Sequence, residues 1–354
     1  MNEICVGVTG LKIMSSPQTG FGVARSLKNC GCKVVGIDET PLTPAICSSY
    51  FDNVYMIKSL YTENLEEFIE DIKKIKKETN LKVIIPCCDS EIYFFSKYRK
   101  NLEEIGIKML VPSLKSLKMT SKLYLYNLKK YGLNIPKTII VSEKNKLEDL
   151  TKELNFPIVC KGALKDSYIA KDKTDLLIYF DRINNMLHGG YGKVIFQEFI
   201  KGDFYCTTGV ADSDNKLIRH MAMKKLGVDI TGATWCGLTI ENEVLKKISE
   251  KFVEITKWVG PFELEFIKDS DGKYWLFEIN PRLPAYIYLA TASSQNMPEA
   301  IAKLAVGEKI EKDFSYIKDL VFTRLAEEII YPKKYLDYLN TNGKLLENVK
   351  IKND

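Results

Sequence analysis

Histidine is almost absent from this sequence: 354 residues contain only His188 and His220. That scarcity argues against an imidazole-based metal centre, and no Ser/His or Cys/His arrangement suggests a side-chain nucleophile. No apolar run approaches the ~20 residues that span a bilayer. Met1-Asn2-Glu3 leads straight into a strand without a signal peptide, so a cytoplasmic protein without membrane association is expected. Lysines are spread along the chain, and the net charge of +5 does not point to nucleic acid. Low-complexity tracts and internal repeats are also missing. Nine cysteines are an odd number, and Cys5, Cys160 and Cys206 sit inside apparent core strands. They read as reduced interior thiols, not as a disulfide framework. Cys30-x-Cys32 and Cys87-Cys88 lack the ligand spacing of zinc sites.

What is present is globular, with length for two or three domains. The first ~110 residues alternate strand and helix, the pattern of a parallel sheet covered on both faces. Ile4–Thr9, Lys33–Ile37, Val83–Pro86 and Lys108–Val111 read as strands, with helices at Gly22–Asn29, after Thr62, and at Ser90–Leu102. Gly20-x-Gly22 opens a helix, and Asp38 ends the next strand, which invites a nicotinamide-dependent dehydrogenase reading. Arg25 breaks that fingerprint at its third glycine position, and Gly10 lies too far from Gly20. Asp89 and Glu91, at a strand end, are candidates to face a cleft.

Farther on, Phe156–Lys161 is a short apolar strand ending in lysine, and Lys193–Phe199 is another strand. Tyr205–Ala211 and Lys216–Lys225 form a hairpin. Asn242 caps a helix whose inward stripe is Val244, Ile248, Phe252, Ile255 and Val259. Two alternating runs then flank Asp269-Ser270-Asp271-Gly272, a strong hairpin signal. A two- or four-residue turn sets Lys268 opposite Lys273, Glu265 opposite Leu276 and Glu263 opposite Glu278. Phe262, Leu264, Phe266, Trp275, Phe277 and Ile279 would share one apolar face, and Glu263, Glu265, Glu278 and Asn280 the other. A three- or five-residue turn would split the acidic cluster. Gathered carboxylates repel unless a cation compensates or one stays protonated, and all-oxygen ligands suit magnesium or manganese better than zinc. A solvated charged face explains the same pattern.

The order Lys122, Lys161, Gln197-Glu198-Phe199-Ile200, Glu265 and Glu278-x-Asn280-x-Arg282 resembles the ATP-grasp superfamily, in its carbamoyl-phosphate-synthetase-like and carboxylate–amine ligase branches. The resemblance runs to about Gly307, and Phe277-Glu-Ile-Asn-Pro-Arg282 is its most specific segment. It implies an α/β and α+β architecture in three parts: a Rossmann-like parallel domain (1–112), a small lid (113–196) and an antiparallel-sheet domain (197–354). It also implies an ADP-forming ligase that joins a carboxylate to an amine through an acyl phosphate. The cofactors would be ATP and magnesium or manganese, and the partners small-molecule or peptide acids and amines, with a homodimer possible. By resemblance, Lys122 and Lys161 hold phosphates, Gln197, Glu198, Phe199 and Ile200 read adenine, and Asp203 substitutes as ribose ligand. Glu265, Glu278 and Asn280 bind metal, and Arg282 clamps the transferred phosphoryl group. The chain departs from the pattern at Gly162–Ser167, which is glycine-poor, at Phe204, where an acid is usual, and at Glu263, where relatives often carry Arg or Asn. Carbamate or carboxyphosphate phosphorylation, peptide modification and non-enzymatic nucleotide binding are the alternatives.

Overall fold

In the computed structural model of the chain, residues 4–12, 18–57, 64–163, 166–185, 192–229, 232–325 and 328–346 are described. Three sheets organise them.

Short apolar runs build the first sheet. β1 (Cys5–Val8), β2 (Lys33–Asp38), β3 (Asn53–Met56) and β4 (Val83–Ile85) pair in parallel, in the order β3-β2-β1-β4. Helices cover both faces, which is why these strands are apolar throughout. Val6, Val8 and Val34 pack with Leu27 on one side, and Val35, Ile37 and Ile84 with Phe68 and Ile72 on the other. The helix Leu65–Thr79 is capped by Asn64, whose side chain accepts from the Glu67 amide; Thr62 lies outside the described residues. Glu66 and Glu67 sit in its first turn and Lys76 and Lys77 in its last, as the helix dipole favours. The strand expected at Lys108–Val111 is reduced to a single bridge between Val83 and Lys108.

The second sheet is antiparallel, ordered β5-β8-β6-β7: β5 (Thr138–Val141), β6 (Ile158–Lys161), β7 (Ser167–Ala170) and β8 (Val194–Glu198). Its apolar side chains, including Cys160 and Phe196, pack with Leu150, Leu176 and Phe180 of the helices Leu147–Glu153 and Lys173–Asn184.

The third sheet is antiparallel too, in the order β13-β12-β9-β10-β11-β14. Its strands are β9 (Asp203–Ala211), β10 (Leu217–Val228), β11 (Thr234–Ile240), β12 (Gly260–Lys268), β13 (Tyr274–Asn280) and β14 (Val321–Thr323). The helix Glu243–Thr256 lays Leu245 and Phe252 on Phe262, Leu264 and Phe266. Gly260 opens β12 at φ 90°, and a Cβ there would come within 2.4 Å of the Leu110 carbonyl oxygen. Only glycine tolerates both constraints, so the exit of the first sheet and the start of β12 lie against each other. At the chain's end β15 (Lys344–Leu345) pairs with β3, so this segment joins the first sheet instead of staying within a 197–354 unit.

Candidate active site

The β12–β13 hairpin positions the acidic cluster, but not in the expected register. Lys268 pairs with Tyr274, leaving the five residues 269–273 as the turn, with Gly272 at φ 80°. That spacing alone would send Glu265 and Glu278 to opposite faces. A bulge intervenes: Phe266 pairs with Leu276 and Glu265 with Glu278, so Phe277 is the extra residue. Beyond it Glu263 lies opposite Asn280, and the carboxylates share a face after all. The apolar face changes accordingly. Tyr274 and Leu276 join Phe262, Leu264, Phe266 and Ile279 in the core, while Trp275 and Phe277 do not.

On the polar face each group has a partner. The Asn280 amide donates to Glu263 Oε2 at 2.9 Å and Glu265 Oε1 at 3.0 Å, leaving its Oδ1 as an acceptor. Tyr286 donates its hydroxyl to Glu263 Oε1 at 2.6 Å. Lys225, from β10, pairs with Glu265; burial works to lower its pKa, but Glu265, with Cys206 and Glu263 behind it, more than reverses this and holds the ammonium charged above the usual lysine range. Lys122 Nζ lies 3.2 Å from Glu278 Oε1. Arg282 meets Asp89 at 3.2 Å and comes within 4.0 Å of Glu263.

Burial pulls these groups toward neutrality, and their neighbours decide the outcome. Glu263 is 4% exposed; burial, then Glu265, pushes its carboxyl up to about 7 despite Lys225 and Arg282. Burial also works to raise Glu278, but Lys122 and Lys161 more than reverse it and bring it down to about 2. Lys161 is drawn down to about 8 by burial. The site thus keeps one firmly ionised carboxylate beside two lysines, and one buried carboxyl near neutrality.

Two hollows flank this face. A narrow cleft between the second and third sheets is lined by Lys122, Tyr126, Thr138, Lys161, Gln197 and Phe277. A cavity of about 220 Å³ lies between the ends of the first sheet (Gly10, Cys87, Asp89) and the acidic face.

The structure brings Lys122, Lys161, Glu265, Asn280 and Arg282 to these two hollows, with Glu278 paired to Lys122. Gln197 is differently engaged. Its Oε1 accepts from Lys161 Nζ at 2.9 Å and its Nε2 donates to Thr138 Oγ1 at 3.1 Å, so it orients a lysine. Glu198 is exposed and accepts from the Lys137 amide, and Phe199 and Ile200 follow just past β8. Asp203 pairs with Lys224 at 2.7 Å on the surface. In the glycine-poor segment Gly162–Ser167, whose Lys165 and Ser167 are the candidate phosphate contacts, Lys165 lies outside the described residues and Ser167 is exposed in β7. Asp38 is buried, with its carboxyl pushed up to about 6 by that burial, and does not offer a carboxylate to an open groove. Among the described residues no three His, Cys, Asp or Glu side chains are grouped to hold a metal. The all-oxygen set Glu265, Glu278 and Asn280 still fits a hard divalent ion, with the lysines standing in as counter-charge.

Two contributors went unread in the sequence. Lys225 occupies an inward slot on β10 after buried Met221 and Met223, and that alternation was its signal. Arg324, just past β14, lines the cavity from a stretch with weak periodicity.

Comparison with known proteins adds relatives to this geometry. Residues 18–110 match the family described as PylC-like, N-terminal domain. The chain is 23% identical over 316 residues to the carbamoyl phosphate synthase large chain of Methanosarcina barkeri, covering 83% of this chain and 28% of that protein. It is 24% identical over 324 residues to D-aspartate ligase of Enterococcus faecium, covering 84% of this chain and 76% of the relative. Among solved structures, the biotin carboxylase domain of Hydrogenobacter thermophilus 2-oxoglutarate carboxylase, in complex with MgADP, ADP and bicarbonate, matches with a TM-score of 0.69 at 17% identity. That match covers 88% of this chain and 72% of the other.

Proposed function

We propose that the chain, which has the fold of the ATP-grasp enzymes, is an ADP-forming ligase joining a carboxylate to an amine. The observation that carries the reading is convergence. Lys122 and Lys161 come from distant segments to one cleft, Glu278 pairs with Lys122, and Glu265, Asn280 and Arg282 line the neighbouring cavity. The D-aspartate ligase relative and the MgADP complex of the fold neighbour support the nucleotide and the ligation chemistry.

In this reading ATP enters the cleft between the second and third sheets as a substrate. Lys161, held by Gln197 Oε1 and the Phe277 carbonyl, and Lys122 face its phosphates. Phe199, Ile200 and Glu198 lie where the chain leaves the second sheet, and we assign them the adenine edge; Asp203 is assigned the ribose if it releases Lys224. Magnesium or manganese, held by Glu265, Glu278 and Asn280, would spread charge over the phosphates. The substrate carboxylate attacks the terminal phosphorus, the bridging P–O bond breaks, and ADP leaves. Arg282 faces the developing charge with a planar fork of donors. An amine then attacks the acyl carbon, phosphate departs, and the nitrogen loses a proton. The two hollows supply proximity, and no enzyme nucleophile is needed.

A second acid, bicarbonate or carbamate, is favoured by the carbamoyl phosphate synthase relative and the bicarbonate in the fold neighbour. Cytoplasmic location belongs to the same proposal. It is supported by nine free cysteines, and no described helix is long and apolar enough to cross a membrane. A homodimer is supported by the dimer of the Hydrogenobacter domain, and light scattering tests it. For the reaction, incubation with ATP, magnesium and pooled acids and amines, with and without bicarbonate, should release ADP. AMP with pyrophosphate would refute acyl-phosphate chemistry, and an NADH-binding signal would restore the dehydrogenase reading.

A further inference from the structure

The charged side chains around the 220 Å³ cavity are nearly all committed to one another. Lys225 holds Glu265, Arg282 holds Asp89, and Glu263 accepts from Tyr286 and Asn280. Arg324 is the exception. It is half-buried in the cavity wall, and its Nε donates to the Thr234 carbonyl at 2.9 Å. Among the described residues no carboxylate lies within ion-pairing distance of its guanidinium, and its two terminal nitrogens have no acceptor. Burial depresses its pKa, with Tyr286 and Glu263 the charges that offset this. A guanidinium anchored by one nitrogen and open at the other two presents a rigid fork, matched to the paired oxygens of carboxylate or phosphate.

The wall across the cavity has the same preference. The helix Thr19–Asn29 begins there: Gln18, which makes no side-chain cap, and Thr19 line the cavity, so the positive end of the helix dipole lies at this wall although the Gly20 amide is taken by the Gly10 carbonyl.

We propose that Arg324 is a specificity-determining residue that clamps a spectator oxyanion, a carboxylate or phosphate group that takes no part in bond making, on the substrate held in this cavity. The inference rests on the ligase reading above and narrows it. Bicarbonate has no such second group, so the acid or the amine partner must bring it. Amino acids, dicarboxylic acids and phosphorylated amines are therefore the substrate classes, and simple monocarboxylates and alkylamines are not.

Calorimetric titration tests this without turnover. Wild-type protein, Arg324→Ala and Arg324→Lys, each saturated with magnesium and ADP, are titrated with succinate, glutamate and inorganic phosphate, and with propionate and methylamine as controls. Wild type should bind one of the first three at least ten-fold more tightly than propionate. Arg324→Ala should lose that binding by about 10- to 100-fold, the loss expected for a charge-assisted pair, with ADP affinity unchanged. Arg324→Lys should fall between, since it keeps the charge without the fork, and it serves as the decisive variant if the alanine protein fails to fold. A preference for phosphate identifies a phosphorylated substrate, and one for succinate or glutamate a second carboxylate. Equal binding by wild type and the folded variants overturns the proposal, as does wild-type preference for propionate or methylamine, or for none of the probes. Failure of the ligase reading shows separately, as absence of ADP from ATP in the pooled-metabolite assay.

Discussion

The two faces of the β12–β13 hairpin are held by one backbone and stabilised by opposite physics. On one face Phe262, Leu264, Phe266, Leu276 and Ile279 are withdrawn from water against Phe252 and Trp258. Each such side chain contributes about 1.5–3 kcal/mol by burial alone. On the other, Glu263, Glu265, Glu278 and Asn280 are desolvated, and Lys225, Lys122, Arg282 and Tyr286 do little more than offset that cost. Stability resides on the first face, and charge kept ready for a ligand on the second. The bulge at Phe277 joins them, because without it the turn length and the facing disagree.

Deleting Phe277 is the most direct perturbation of the bulge. Glu278 then follows Leu276 in ordinary alternation, so Glu278 and Asn280 should still lie opposite Glu265 and Glu263 and the protein should keep a cooperative circular-dichroism melt, while ADP formation is lost with the Phe277 carbonyl that accepts from Lys161 and the cleft wall it forms. Loss of the cooperative melt would show that the bulge does more than reconcile turn length with facing. Glu278→Ala separates the two faces without touching the core. Fold and melting temperature should survive, while ADP formation falls by about 10²–10³-fold, the loss usual for one electrostatic group. Turnover near the wild-type rate would remove the site from this face.

The facing of this hairpin is legible in the sequence and its register is not, for physical reasons. Alternation is written into side-chain types, so Glu263, Glu265, Glu278 and Asn280 could be placed together from the pattern. Register depends on φ near Gly272 and on the extra residue at Phe277, and neither leaves a mark in hydropathy. The expected pairing of Glu265 with Leu276 was displaced, and Trp275 and Phe277 were assigned to the wrong face. β3 is hard to read from the sequence because Asn53–Met56 is only four residues long. Cations are common in this chain, which masks the alternation that marks Lys225, and Arg324 lies in a stretch with weak periodicity, so only the tertiary fold brings it to the cavity. Gln197 was placed near the nucleotide but not as the partner of Lys161, a contact that crosses between β8 and β6.

Stability measurements sharpen the contrast. Phe266→Ala, at a side chain with no exposure, should cost about 3–5 kcal/mol in urea unfolding, from lost burial and the cavity left behind. Lys225→Met conserves volume yet strands Glu265, and should cost about 3–5 kcal/mol. Adding Glu265→Leu should return most of that second loss, because a paired charge contributes little beyond its own desolvation. If the double variant is as unstable as Lys225→Met, the polar face contributes stability in its own right and the contrast fails.

The smallest effect is expected away from the site, on the apolar side of the same sheet. His220 on β10 is 2% exposed, lies 6.0 Å from the Phe314 ring, and has no partner for Nε2. Burial, and secondarily Lys246, pushes its pKa down to about 3. Its unfolded value is near 6.5. Between these values the unfolded chain binds a proton that the folded chain refuses, so acid favours unfolding. The contribution is whole above pH 6.5 and drains away as pH falls toward 3. His220→Phe removes this titration. From pH 7 to pH 4.5 wild type should therefore lose ~1–2 kcal/mol more stability than the variant. Every carboxylate titrating in that interval is common to both proteins and cancels in the difference. Parallel stability–pH curves would mean that His220 reaches water, and that the apolar side of the sheet is not the dry counterpart of the charged one.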